Sequence, residues 1–386
     1  MRTTGTTARG KRTSIINRGD DLARIVVESV LNTAKTENFK LNDKDVVGIT
    51  EAVVARAQDN YATCDQVAQD IRSKFPSGTL GAIFPILSRN RFGNHLKGIT
   101  KGCDKLYLML SYPYDEVGNS LIPIELLEDP DINFLSDILD EETFRAKFGY
   151  DTKHIFTGVD YIEYYKSIGD NIEIIFANDV RHILKYTKNV LCCDIHSRFI
   201  SKRLLKDAGA ETVFGLDDIL TNPVDGSGYN EEYGLLGANM NPGDRLKLFP
   251  RDCGTLVEEV AKRLRSVTGK QIEVMVFADG AFKDPIGKIW ELADPVVSPA
   301  LTSGIEGRPN ELKLKFLLDG EFAELGGNEL EEAVAAAVKA KTEASLGTTP
   351  RMHSDLLGSL CDLISGSGDK GTPVVLVQGY FDDFAS

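Results

Sequence analysis

The chain has 386 residues, more than one ordinary core organises, so two or three domains are expected. Its 42% hydrophobic and 26% charged residues suit a globular protein, and no apolar run approaches the roughly 18 residues that span a bilayer. A net charge of −14 argues against nucleic acid as a partner, yet leaves room for one basic pocket that takes a small polyphosphate. Along the chain, the basic, Thr-rich opening "MRTTGTTARGKRTSIINR" has no apolar signal core and reads as a short tail leading into a first strand, "RTSII". Asp20 is a plausible N-cap for a helix with Leu22, Ile25, Val26, Ser29 and Val30 at helical spacing. "LNDKDVVGITEAVVARAQ" gives a turn, a strand over 45–50 and a helix carrying Arg56 and Gln58.

From about 102 to 230 the pattern changes. "NIEIIFAN", "NVLCCDIHS" and "ETVFGL" are strands separated by the helices "DVRHILKYT" and "RFISKRLLKDAGA", an alternation that predicts a parallel sheet covered on both faces. After the loop "TNPVDGSGYNEEYG" come a strand "DRLKLF" and a helix over 254–268 with Leu256, Val260, Leu264 and Val267 on one face. Gly269 stands at its C-terminal stop. "IEVMVF" is a buried strand ending at Asp279–Gly280. "NELEEAVAAAVKAKTEAS" is a helix with Asn328 and Glu331 at capping-box spacing, and the chain closes with helix "HSDLLGSLCDLIS" and strand "TPVVLVQGY".

Asp279 has two readings. Asp-Gly is common turn chemistry; alternatively, a strand tip holds the carboxylate rigidly where a metal or phosphate sits, with Lys283 and Asp284 close behind. "SRNRFGNHLKG" gathers Arg89, Arg91, His95 and Lys97, either as a solvated loop or as a clamp for a phosphate or carboxylate. "CCDIHSR" puts Asp194, His196 and Arg198 at a strand end, either as ligand contacts or as a cap for the next helix. The chain contains no P-loop, no G-x-G-x-x-G between a strand and a helix, and no G-x-S-x-G. The six cysteines form no C-x-x-C and are read as reduced thiols in a cytoplasm.

Taken in order, "INRGDDLARIV", "LNDKDVVGITEAVVARAQ", "DRLKLFP", "GKQIEVMVFADGAF" and "HSDLLGSLCDLISGSGDKGTPVVLVQG" resemble the gamma-glutamyl ligases of the deazaflavin coenzyme F-420. The resemblance implies a mixed α/β fold: a ligase core from 10–101 and 232–386, and an inserted α/β section over 102–231. It implies amide-bond formation between L-glutamate and a carboxylate acceptor through an acyl phosphate, with GTP (or ATP) as co-substrate and Mg2+ or Mn2+, and K+ as a further candidate ion. It also implies a homodimer. By position Asp279 matches the family's metal aspartate, with Asp244 and Asp284 as further metal candidates. Arg56 and Lys283 are the catalytic cations, and Arg89, Arg91 and Asn239 the nucleotide contacts.

Several positions depart from the family pattern. Gly280 replaces a threonine, Gln58 a glutamate, and "Gly234-Leu235-Leu236-Gly237-Ala238-Asn239" lacks the second metal aspartate, for which Asp244 substitutes only if the loop shifts. The acceptor is therefore open between an F-420 precursor and a folate or other acid. Two further readings stand beside the ligase: a non-catalytic ligand-binding homologue, and an oxidoreductase built on the middle section, which the absent glycine fingerprint disfavours.

Overall fold

The computed structural model describes residues 4–123, 125–126, 132–154, 157–278, 281–283, 290–292, 297–342, 349–365 and 369–385. The chain is mixed α/β and divides into two compact units, one comprising 1–57, 252–279 and 296–386, the other 58–251 and 280–295.

The first unit is a five-stranded sheet in the order β1 (Thr7–Lys11), β16 (Val374–Gln378), β2 (Val46–Thr50), β12 (Glu273–Ala278), β15 (Val297–Leu301). Only β2 and β12 pair in parallel; the other neighbours are antiparallel. The central strands are continuous apolar runs because both faces are covered. On one face Val47, Ile49, Val274, Val276 and Leu376 pack with Val26 and Val30 of α1 (Leu22–Thr36) and Val257, Val260 and Leu264 of α8 (Cys253–Thr268). On the other, Val46, Met275, Phe277 and Val375 pack with Leu357 and Cys361 of α11 (His353–Ile364). Gly48 is required there, because a Cβ would meet Cys361 Sγ at 2.5 Å. The helices α2 (Glu51–Ala57), α9 (Leu314–Asp319) and α10 (Gly327–Ala340) complete the unit.

Four local expectations are corrected here. The first strand is Thr7–Lys11, not "RTSII": β1 takes its register from β16 (Lys11 opposite Val374), and Ile15 is 81% exposed. Asp21, not Asp20, caps α1, accepting the Arg24 N–H at 2.9 Å, because Asp20 turns back to accept the Asn17 N–H at 2.7 Å. The helix at 327–340 starts from Gly326 without a side-chain cap, so Asn328 and Glu331 form no capping box. Val267 faces solvent near the end of α8, whose buried face runs through Val257, Val260, Ala261 and Leu264; Gly269 is left-handed at φ 68°, the C-terminal stop expected of it.

In the second unit, β3 (Tyr61–Thr63) leads into α3 (Cys64–Lys74), capped by Thr63 and Gln66 in a reciprocal box. A six-stranded sheet follows: β4 (Thr79–Ile83), β5 (Lys105–Leu110), β6 (Leu139–Asp140), β7 (Ile172–Phe176), β8 (Asn189–Cys192) and β9 (Thr212–Gly215). Its order is β6-β7-β5-β4-β8-β9, with β6 alone antiparallel. The predicted alternation over 172–215 is present, with a 3-10 turn over Val180–Lys185 in place of its first helix. The central strand, however, is β4, from the stretch grouped with the ligase core in the sequence. A parallel sheet cannot leave its middle strand in another unit, so the compact boundary falls at 57/58. The helices α4 (Asn94–Lys101), α5 (Glu141–Phe148), α6 (Tyr161–Lys166) and α7 (Arg198–Asp207) flank this sheet. β10 (Asn239–Asn241) and β11 (Arg245–Lys247) pair with β3 in a small sheet, and β13 (Ala281–Lys283) pairs with β14 (Trp290–Leu292). All six cysteines are free and buried. Among the described residues no helix is long and apolar enough to cross a membrane.

Candidate functional site

In the first unit β2 and β12 run side by side in the same direction. Their parallel register sets Phe277 opposite Thr50, the last residue of β2, and β12 runs one residue further, to Ala278. Ligands of open α/β sheets gather at carboxyl ends of parallel strands, where backbone and side chains are held by the sheet behind them. The pairing of β12 with β15 shifts register between Val276 and Ala278, a bulge beside this end of the kind that re-aims strand tips. Asp279 follows β12 directly; it lies outside the described residues. Glu51 follows β2 directly, is 5% exposed and opens α2. It is close enough to Cys253 at the start of α8 that its charge adds to burial in pushing that thiol up to about 12. Sequence analysis missed Glu51. The available signal was its place as the first carboxylate after a buried strand that runs parallel to β12.

Arg56, on the last turn of α2, donates from Nε to the Ile16 carbonyl at 2.6 Å, and the Gly19 N–H donates to the Ala57 carbonyl at 2.8 Å. These bonds tie the 16–20 turn to α2. The turn borders a polar groove of about 570 Å³, lined by Arg12, Ser14, Asn17, Asp20, Arg24 and Glu28 among others. The mixed charge of this lining suits a polar ligand with both donors and acceptors. Asp21 is held below its usual range, first by the Arg24 N–H, with Arg263 adding to it.

In the second unit the basic stretch is no solvated loop. Arg89 and Arg91 are each 6% exposed and lie on a π-helical turn over Arg89–Gly93. Arg91 Nη1 donates to the Gly237 carbonyl at 2.7 Å, His95 Nε2 contacts the Leu235 carbonyl at 3.0 Å, and Asn94 Nδ2 donates to the Arg245 carbonyl at 2.9 Å. The stretch therefore clasps 235–245, the segment carrying Asn239, whose Oδ1 is enclosed without a hydrogen bond. Arg89 lies over the Tyr164 ring, 5.9 Å from its centroid. The structure thus brings Arg91 and the Asn239 segment together.

His95 carries a testable consequence. Burial, with the Arg91 charge adding, holds its pKa at about 4, against 6.5 for a free imidazole. The unfolded chain then binds more protons than the folded one between those values. Stability is full above pH 6.5 and falls as pH drops toward 4, by up to about 3 kcal/mol. Urea unfolding followed at pH 7.5 and pH 5 checks this: His95→Asn is expected to flatten the dependence, and an unchanged slope contradicts the assignment.

Asp244 sits at φ 57° with its carboxyl ion-paired to Lys97 at 2.7 Å, a bond that holds it below its usual range. Asp284 lies outside the described residues, and Lys283 is described only as the last residue of β13. Among the described residues no group of three His, Cys, Asp or Glu converges as a metal site. In the first unit Glu51 places a buried carboxyl directly after a strand, the hard oxygen chemistry that Mg2+ and Mn2+ favour.

No curated protein matches the chain. The family model described as F420-0:gamma-glutamyl ligase matches residues 10–379, almost the whole sequence. On that match, the chain belongs to the F420-0:gamma-glutamyl ligase family.

Proposed function

We propose that the protein joins the amine of L-glutamate to the carboxylate of an acid acceptor, with GTP as phosphoryl donor. The observation that supports this reading, beside the family, is the parallel pairing of β2 with β12, the two strands that Glu51 and Asp279 follow in the sequence. In the proposed sequence an acceptor carboxylate oxygen attacks the γ-phosphorus, GDP leaves, and an acyl phosphate forms. The glutamate amine then attacks the acyl carbon, the C–O bond to phosphate breaks, and inorganic phosphate leaves as the amine loses a proton. Asp279 and Glu51 would hold Mg2+ or Mn2+, which would screen the triphosphate charge when bound. Arg56 supplies cationic charge toward the transferring group and also fixes the 16–20 turn. In the second unit Arg91 positions the segment bearing Asn239, whose Oδ1 takes no hydrogen bond and is available to a ligand donor.

The test is coupling. GDP release is expected only when both glutamate and an acceptor acid are present, one GDP per amide formed. GDP release that ignores glutamate overturns the ligase reading. An F-420 precursor is the acceptor expected from the family, and a panel containing folates decides between it and another acid.

A further inference from the structure

The parallel sheet of the second unit carries a feature that the ligase reading leaves unused. Taken in chain order its parallel strands are β4, β5, β7, β8 and β9, and in space they run β7-β5-β4-β8-β9. The winding reverses between β4 and β8, and in such sheets small molecules bind outside the carboxyl ends at that reversal. The loop after β5 reaches across it. Asp115 accepts hydrogen bonds from the N–H groups of Leu87, on the β4 side, and of Val117 and Asn119 at 2.8 to 3.0 Å. The next residue, Glu116, accepts from the N–H groups of Ile195 and His196, on the β8 side. One turn therefore bridges both lips of the crevice.

Asp194, two residues past β8 and near enough for its charge to act on Glu116, is 0% exposed. Its Oδ2 accepts from the Ser197 and Ser201 hydroxyls at 2.7 and 2.8 Å, whereas its Oδ1 is enclosed with no hydrogen bond. A buried carboxylate oxygen without a donor is a standing cost that a ligand's donor removes. The paired N–H groups of Ile195 and His196 precede α7, whose first turn takes no side-chain cap, so they form an anion seat. In this structure Glu116, on the loop after β5, fills it. Burial, with the Asp194 charge adding, raises the proton affinity of Glu116, so two carboxyl groups are held together at some cost.

We propose that the carboxyl ends of β4 and β8 form a second small-molecule site, for an α-amino acid. Its carboxylate takes the place of Glu116 on the Ile195 and His196 N–H groups, and its ammonium donates to Asp194 Oδ1. An anion seat directly beside a buried unsatisfied carboxylate matches the two ends of a zwitterion, and exchanging Glu116 for a zwitterion removes the juxtaposed like charges. Glu116 then acts as a tethered competitor.

The experiment uses the full chain and an equimolar mixture of the twenty L-amino acids, read by saturation-transfer NMR. Glu116→Ala is expected to bind at least one of them about tenfold more tightly than the unaltered protein, because the seat is no longer occupied from within. Asp194→Asn is expected to lose that binding. Should Asp194→Asn fail to fold, the amide signals of Ile195 and His196 in the unaltered protein provide the second readout, and both are expected to shift on titration with the amino acid identified. Glutamate held elsewhere as a ligase substrate leaves those two amides still. No amino acid binding to Glu116→Ala, or binding that moves neither amide, overturns the proposal.

Discussion

Asp279→Asn is expected to reduce acceptor-dependent GDP release by roughly 10²-fold or more while the thermal unfolding curve stays where it was. The preceding six residues of β12 are all buried, and the strand is pinned between β2 and β15, so its end is delivered to a fixed place. Asn keeps the volume and one carbonyl oxygen but removes the charge that a divalent cation requires. Glu51→Gln is expected to lower turnover in the same assay, since its carboxyl ends the neighbouring parallel strand. Normal turnover in Asp279→Asn removes the metal assignment; lost turnover with an unfolded protein assigns the residue to structure instead.

Asn60→Ala is expected to cost the second unit about 3 kcal/mol, measured by urea unfolding. Asn60 is completely buried where the chain enters this unit. Its Nδ2 donates to the carbonyls of Tyr229 at 3.0 Å and Phe249 at 2.6 Å. Its Oδ1 accepts from the Tyr229 N–H at 3.0 Å and from Arg251 Nη1 at 2.8 Å. One side chain thus fastens the entering strand to the segment around 229 and to the departing segment at 249–251. Alanine fills none of these roles: the Tyr229 N–H and carbonyl and the Arg251 guanidinium lose these bonds, and the Phe249 carbonyl keeps only Asn230. A loss below about 1 kcal/mol contradicts this account of the unit's closure.

The contrast between these two residues shows what was legible in the sequence. Asp279 announced itself because a continuous apolar run ended on a carboxylate, a pattern set by neighbours in sequence. Likewise the helix ending at Gly269 and the alternation across 172–215 follow from local periodicity and turn chemistry. Asn60 gave no such signal, since its three partner residues lie 169 to 191 residues away. The same holds for β1, whose place is decided by pairing with β16 at the far end of the chain, and for β4, whose central position comes from β8 as well as from β5. Glu51 looked like any helix-opening acid until the parallel register of β2 with β12 set it beside a strand end already of interest. The basic residues at 89–97 read equally as loop or clamp in sequence. Their burial and their bonds to 235–245 decide that Arg91 holds the fold of its own unit together, a tertiary fact with no local signature.

The central claim is that an acceptor carboxylate is activated by phosphoryl transfer before an amine attacks it. Its most direct measurement uses acceptor labelled with 18O in the carboxylate, together with GTP, glutamate and Mg2+, followed by mass analysis of the released inorganic phosphate. The account predicts one 18O atom carried into each phosphate. Unlabelled phosphate alongside normal amide formation would mean that no acyl phosphate forms, and the proposed chemistry would be wrong.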